Sequence, residues 1–87
     1  MLFRSGLHYR DLKQLARNSL EYSFLPGQSL WDSPRFTRMQ PSCRADQAGA
    51  VALSAGCSSF LRRNERARAQ WTLEQEFARF EIGRAHV

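Results

Sequence analysis

Ser58-Ser59-Phe60-Leu61-Arg62-Arg63-Asn64-Glu65-Arg66-Ala67-Arg68-Ala69-Gln70-Trp71-Thr72-Leu73-Glu74-Gln75-Glu76-Phe77-Ala78-Arg79-Phe80-Glu81 is the stretch that decides the fold class. Ala67, Trp71, Leu73, Phe77 and Phe80 recur at helical spacing and predict one apolar face, broadened by Phe60 and Leu61 if the helix begins early. Asn64 suits an N-cap, with Glu65 in the first turn. Arg62, Arg63, Arg66 and Arg68 gather at the start of this helix, where the dipole least favours positive charge, so they are expected to answer acidic groups elsewhere or to face solvent. Glu65, Glu74, Glu76 and Glu81 interleave with the arginines, and mixed charge of this kind reads as a solvated face.

Upstream, Leu12, Leu15, Ala16 and Leu20 share a second helical stripe, and Asp11 lies near its start. Asn18-Ser19-Leu20-Glu21 has capping-box spacing, which predicts a helix from about Tyr9 to Arg17, a break at Asn18 and a short second helix to Phe24. Pro26-Gly27 closes the segment. Residues 26–41 hold all three prolines together with Trp31, Phe36 and Met39. They read either as a long loop whose apolar anchors lie against another surface or as a poorly ordered linker. Residues 42–56 are small and polar, with a helical turn expected through Asp46 to Leu53. The predicted class is therefore mainly α, divided as a helix pair over 6–25, a loop-rich segment over 26–62 and an amphipathic helix over 63–81.

The chain has 87 residues and 43% hydrophobic content, which excludes a strongly charged disordered segment and leaves one small domain or a piece of a larger one. A chain of this size buries only about 60% of its unfolded surface and is marginal alone. The uncharged run Ala48 to Leu61 is too short and too polar to span a bilayer. The net charge of +5 comes almost wholly from arginine. Part of it lies in termini that do not read as natural protein. Ile82-Gly83-Arg84-Ala85-His86-Val87 is what ATC-GGA-AGA-GCA-CAC-GTC encodes, a string inside a common short-read sequencing adapter, and Leu2-Phe3-Arg4-Ser5 is encoded by its reverse complement. Residues 1–5 and 82–87 are accordingly expected to be adapter-derived and are set aside. Without Arg4 and Arg84 the net charge falls by two, and the case for a nucleic-acid partner weakens, because a basic patch is only the first of several required signs.

Catalytic constellations are nearly absent. Outside the set-aside termini His8 is the single histidine, more naturally a surface or cap residue than a ligand, and nothing matches H-E-x-x-H or H-x-H. No glycine pattern fits a phosphate loop, and the cysteines lack the C-x-x-C of a deaminase-type zinc site. No catalytic, cofactor-binding or metal-binding residue is therefore assigned. Cys43 and Cys57 admit two readings. As a disulfide they close a loop worth about 3 kcal/mol in the chain-entropy model and imply a secreted or periplasmic setting. Otherwise they are two free thiols. An even count in a loop-rich stretch leans toward the bridge.

The run Asp11-Leu12-Lys13-Gln14-Leu15-Ala16-Arg17-Asn18-Ser19-Leu20-Glu21-Tyr22-Ser23-Phe24-Leu25 resembles the C-terminal part of adenosine deaminases, most of all the growth-factor-related branch and its longer bacterial relatives. Asn64-Glu65-Arg66, with Gln70-Trp71 and Phe77 to Glu81, is more loosely similar to the terminal helix of that family, and residues 26–62 then look like an insertion that shorter relatives lack. The resemblance implies a parent with a (β/α)8 TIM barrel that converts adenosine and water to inosine and ammonia. In that family a zinc ion held by histidines and an aspartate activates water, and a glutamate shuttles the proton. None of those ligands or catalytic residues falls on a matched position here. The chain is thus expected to be a non-catalytic C-terminal fragment, inactive alone, whose partner is the missing barrel and whose parent takes a small nucleoside, with neither nucleic acid nor membrane as partner. The alternatives are an independent helical interaction module and, further off, a basic nucleic-acid-binding peptide.

Overall fold

A computed structural model of the chain describes residues 8–33 and 35–85, the last three by their backbone alone. The expected adapter residues 1–5 and 86–87 lie outside the described residues, as do Gly6, Leu7 and Pro34. In chain order the elements are α1 (Tyr9–Glu21), a 3-10 turn (Pro41–Cys43), α2 (Ala55–Arg63) and α3 (Glu65–Ala85). No strand occurs among the described residues, and Trp31 and Met39 form an isolated antiparallel bridge. The mainly helical class is what the periodicity predicts.

Each helix starts and stops for a local reason. His8 stands at the N-cap of α1, and the Asp11 carboxylate accepts its amide hydrogen at 3.1 Å. The break expected at Asn18 does not occur. The helix runs through it to Glu21, and the Asn18 carbonyl accepts from the Tyr22 amide at 3.1 Å. Glu21 does not reach back as a capping box needs, because its carboxylate accepts from Ser29 and Gln70 instead. Ser54 caps α2, its hydroxyl accepting from the Cys57 amide at 3.3 Å. Phe60 and Leu61 therefore belong to a separate helix, and the chain turns at Asn64, whose backbone is extended. Asn64 marks the start of α3 as expected, yet its side chain is otherwise engaged: Oδ1 accepts from the Gln28 amide at 2.7 Å and Nδ2 donates to the Phe60 carbonyl at 2.9 Å. The first turn of α3 is closed by the loop, with the Arg66 amide donating to the Pro26 carbonyl at 2.9 Å. The Arg66 guanidinium donates to the carbonyls of Ser23 and Leu25, while Arg62, Arg63 and Arg68 are exposed, as expected of a solvated face. α3 continues past the expected limit at Glu81 to Ala85, since nothing between 82 and 85 forces a stop.

The core sits between α2, the first half of α3 and the loop between α1 and α2. It comprises Leu30, Trp31, Phe36, Met39, Cys43, Cys57, Phe60, Leu61, Ala67 and Trp71. Residues 26–62 thus carry eight of these ten side chains, and Trp31, Phe36 and Met39 are anchors of an ordered loop rather than parts of a slack linker. Two backbone bonds flank the Trp31–Met39 bridge, Asp32 to Arg38 at 2.7 Å and Gln40 to Leu30 at 2.8 Å. Phe36 adopts a φ of 57°, an unfavourable conformation for a bulky residue, and in doing so brings its buried ring edge-on to Trp31 at 5.8 Å. The Cys43 and Cys57 sulfurs are bonded, with both residues fully buried, and the bridge joins the 3-10 turn to α2. The helical turn expected over Asp46 to Leu53 is not formed; the short helix lies earlier, at Pro41–Cys43. What interrupts the later segment is Gly49, at a φ of 82°, pressed so close to α3 that a Cβ there would lie 2.7 Å from the Glu74 carbonyl carbon.

Candidate functional site

α1 is docked on α3 through polar side chains. Tyr9, Lys13, Arg17 and Glu21 follow one another at four-residue spacing, which places them on one stripe. Opposite them on α3 stand Phe80 and Glu81, then Phe77, then Glu74 and Gln70. The Tyr9 ring lies 5.0 Å from Phe80, and its hydroxyl donates to Glu81 at 2.9 Å. Lys13 pairs with the same carboxylate at 2.8 Å and sits 5.0 Å from the Phe77 ring centre. Arg17 grips Glu74 in a two-pronged pair, both bonds 2.8 Å, while its guanidinium lies 5.3 Å from Phe77 and 5.7 Å from Trp31. At the far end the Gln70 amide donates to Glu21 at 2.9 Å, and its oxygen accepts the Leu30 amide at 2.7 Å.

The electrostatics follow from this geometry. The hydrogen bond from Lys13 holds the Glu81 carboxyl below its ordinary value; burial opposes it, and the hydrogen bond from Tyr9 adds a smaller effect in the same downward direction. The hydrogen bond to Glu74 raises the Arg17 guanidinium above its ordinary value, against an opposing effect of burial. Glu74 is only 6% exposed and Gln70 only 1%, and among the described residues no buried side-chain polar atom lacks a partner. The expectation that Glu74 belongs to a solvated face is therefore corrected. A carboxylate can be buried here because a bidentate cation meets it.

The leucine stripe of α1 is divided between a packed and an open side. No residue of α1 is fully buried, Leu12 and Leu20 are half-buried, and Leu15 is 56% exposed. Just beyond the helix Tyr22 and Phe24 are exposed as well. Two surface depressions lie elsewhere, one of about 340 Å³ between Gln28, Gln40–Ser42, Phe60 and Arg63–Asn64, and one of about 330 Å³ where Gly49 and Val51 face Ala78 and Ile82.

Of the residues singled out from sequence, Cys43 and Cys57 are brought together as the disulfide, and His8 stands at the start of α1, exposed. Trp71 is buried, its indole donating to the Ala50 carbonyl at 3.1 Å, so it offers no face on which a base could stack. The seam residues Lys13, Arg17, Gln70 and Glu74 escaped the sequence reading. The available signal was the fourfold spacing itself, cations on one helix and carboxylates on the other. Among the described residues no group of three or more histidine, cysteine, aspartate or glutamate side chains could hold a metal ion, and no described helix is long and apolar enough to cross a membrane. No family model, no curated protein and no solved structure matches this chain.

Proposed function

We propose that this chain is a non-catalytic helical packing element from the C-terminal part of an adenosine deaminase-like zinc hydrolase. Its work is to cover the outer wall of the parent's (β/α)8 barrel, while the conversion of adenosine and water to inosine and ammonia belongs to residues of the parent. The observation that carries this reading is the set of exposed apolar side chains on and just beyond α1, namely Leu15, Tyr22 and Phe24. Leu15 belongs to a stripe that repeats as a buried stripe repeats, yet it stands exposed while Leu12 and Leu20 are half-buried, which leaves it for a surface supplied from elsewhere. That same run carries the resemblance to adenosine deaminases. Among the described residues both cysteines are consumed in the disulfide and no group of three or more histidine, cysteine, aspartate or glutamate side chains could hold a metal ion, so the zinc of the reaction is assigned to the parent. The bridge supports a periplasmic or extracellular setting, where such bonds persist.

The purified chain, given adenosine and zinc, is expected to release no ammonia above the buffer rate; measurable turnover would overturn the non-catalytic reading. The source DNA upstream of the Gly6 codon is expected to continue in frame into a barrel pattern with an H-x-H motif. A start codon with its own upstream signals there would instead favour a second reading, a free-standing helical interaction module. That alternative is supported by the closed ten-residue core around the Cys43–Cys57 bridge, which the chain builds from its own side chains.

A further inference from the structure

We infer that the redox state of the Cys43–Cys57 bridge governs how firmly α1 is held, although α1 packs on α3 alone among the helical elements. This deepens the proposed function, because α1 carries the face assigned to docking. The bridge closes a loop of sequence separation 14, and that loop has two seats on α3. The Ala50 carbonyl accepts the Trp71 indole, and Gly49 lies against the backbone of Glu74 and Gln75. Glu74 is also the residue whose carboxylate grips Arg17, and the Arg17 guanidinium rests besides on the rings of Phe77 on α3 and of Trp31, a member of the core cluster that contains the bridge. Two of the three supports of the central α1 contact, Glu74 and Trp31, thus run through parts of the molecule that the closed loop helps to hold in place. An element with no fully buried residue is the first to open when its anchors loosen.

The reductant is a dithiol. One of its thiolates attacks a bridge sulfur to form a mixed disulfide. Its second thiol then closes the reagent's own disulfide, leaving Cys43 and Cys57 as thiols with the two electrons and two protons the dithiol has given up. Both cysteines have 0% exposure, so attack follows a local opening. Linkage makes the coupling mutual: if the closed bridge holds α1, a docked α1 protects the bridge.

Amide hydrogen exchange on the whole chain, oxidised and dithiol-reduced, tests this. On reduction the α1 amides are expected to exchange roughly tenfold faster or more, a fraction of what releasing a closed loop of this length costs, and to outpace those of α3 around Trp71. α1 amides that do not change, or that rise in step with those of α3, overturn the inference. Gly49→Ala keeps the bridge and strikes the loop's seat on Glu74, so in the oxidised chain it is expected to speed α1 exchange by itself; an unaffected α1 overturns the relay. In Arg17→Gln the bridge is expected to be reduced faster, and an unchanged reduction rate breaks the reciprocity. All of these readouts concern α1 within this chain, so docking on a barrel wall can fail while the coupling stands, or the reverse.

Discussion

Two regions of this small molecule hold by different physics. At the Cys43–Cys57 bridge, ten apolar side chains, the two cysteines among them, form one buried cluster. Along the seam between α1 and α3 the contacts are ion pairs, ring faces and one amide, and α1 buries no residue fully. Dispersion and the removal of apolar surface from water are strong without being directional, so the core tolerates an irregular loop and even the left-handed Phe36. Charge pairs are directional and nearly cancelled by desolvation, so the seam fixes where α1 lies more than how tightly it is held.

The difference is sharpest in substitutions. Trp71→Ala removes the largest buried ring from α3 and orphans the Ala50 carbonyl, and is expected to cost about 3–5 kcal/mol in urea-unfolding experiments. A loss below about 1 kcal/mol would mean that the core is not what stabilises the fold. Arg17→Ala leaves the Glu74 carboxylate buried without its cation. It is expected to cost about 2–3 kcal/mol, less than for a fully buried pair because Arg17 keeps part of its side chain in water. Arg17→Met combined with Glu74→Met should recover most of that loss, and a double-mutant cycle showing no coupling would remove the pair from the seam.

The smallest effect belongs to the exposed end. Lys13→Ala is expected to cost under about 1 kcal/mol, as exposed pairs do. It should also flatten part of the acid limb of stability. The Glu81 carboxyl lies below its ordinary 4.5, so the folded state gains from its ionised form above that pH and loses the gain as pH falls through the lower folded value. A pH series comparing the natural chain with Glu81→Gln checks the sign. Equal acid limbs in the two proteins would show that Lys13 and Tyr9 do not hold this carboxylate in solution.

The helices were largely legible, because periodicity reports which residues share a face. Ala67 and Trp71 are buried together on α3 as their spacing predicts. The candidate site was less so. The break read at Asn18 failed because N-x-x-E is also an ordinary sequence within a helix, and only the position of Ser29 and Gln70 shows that Glu21 faces elsewhere. Glu74 resembled its neighbour Glu76 in the chain, yet one is buried against Arg17 and the other exposed. Nothing local distinguishes them, since the partner lies 57 residues away.

By itself, then, the sequence determined the helical class, the shared burial of Ala67 and Trp71 on α3 and the pair of cysteines available to one another, since these follow from spacing and count, whereas Phe80 of the same expected face is exposed. Only the tertiary structure decided which side of α1 turns inward and that an irregular proline-bearing loop supplies most of the core. The reason is that a stripe of leucines becomes interior only when a surface is brought against it. In this chain the surface brought against α1 carries carboxylates, an amide and ring faces, so the polar stripe is engaged, Leu12 and Leu20 are half-buried and Leu15 is left exposed.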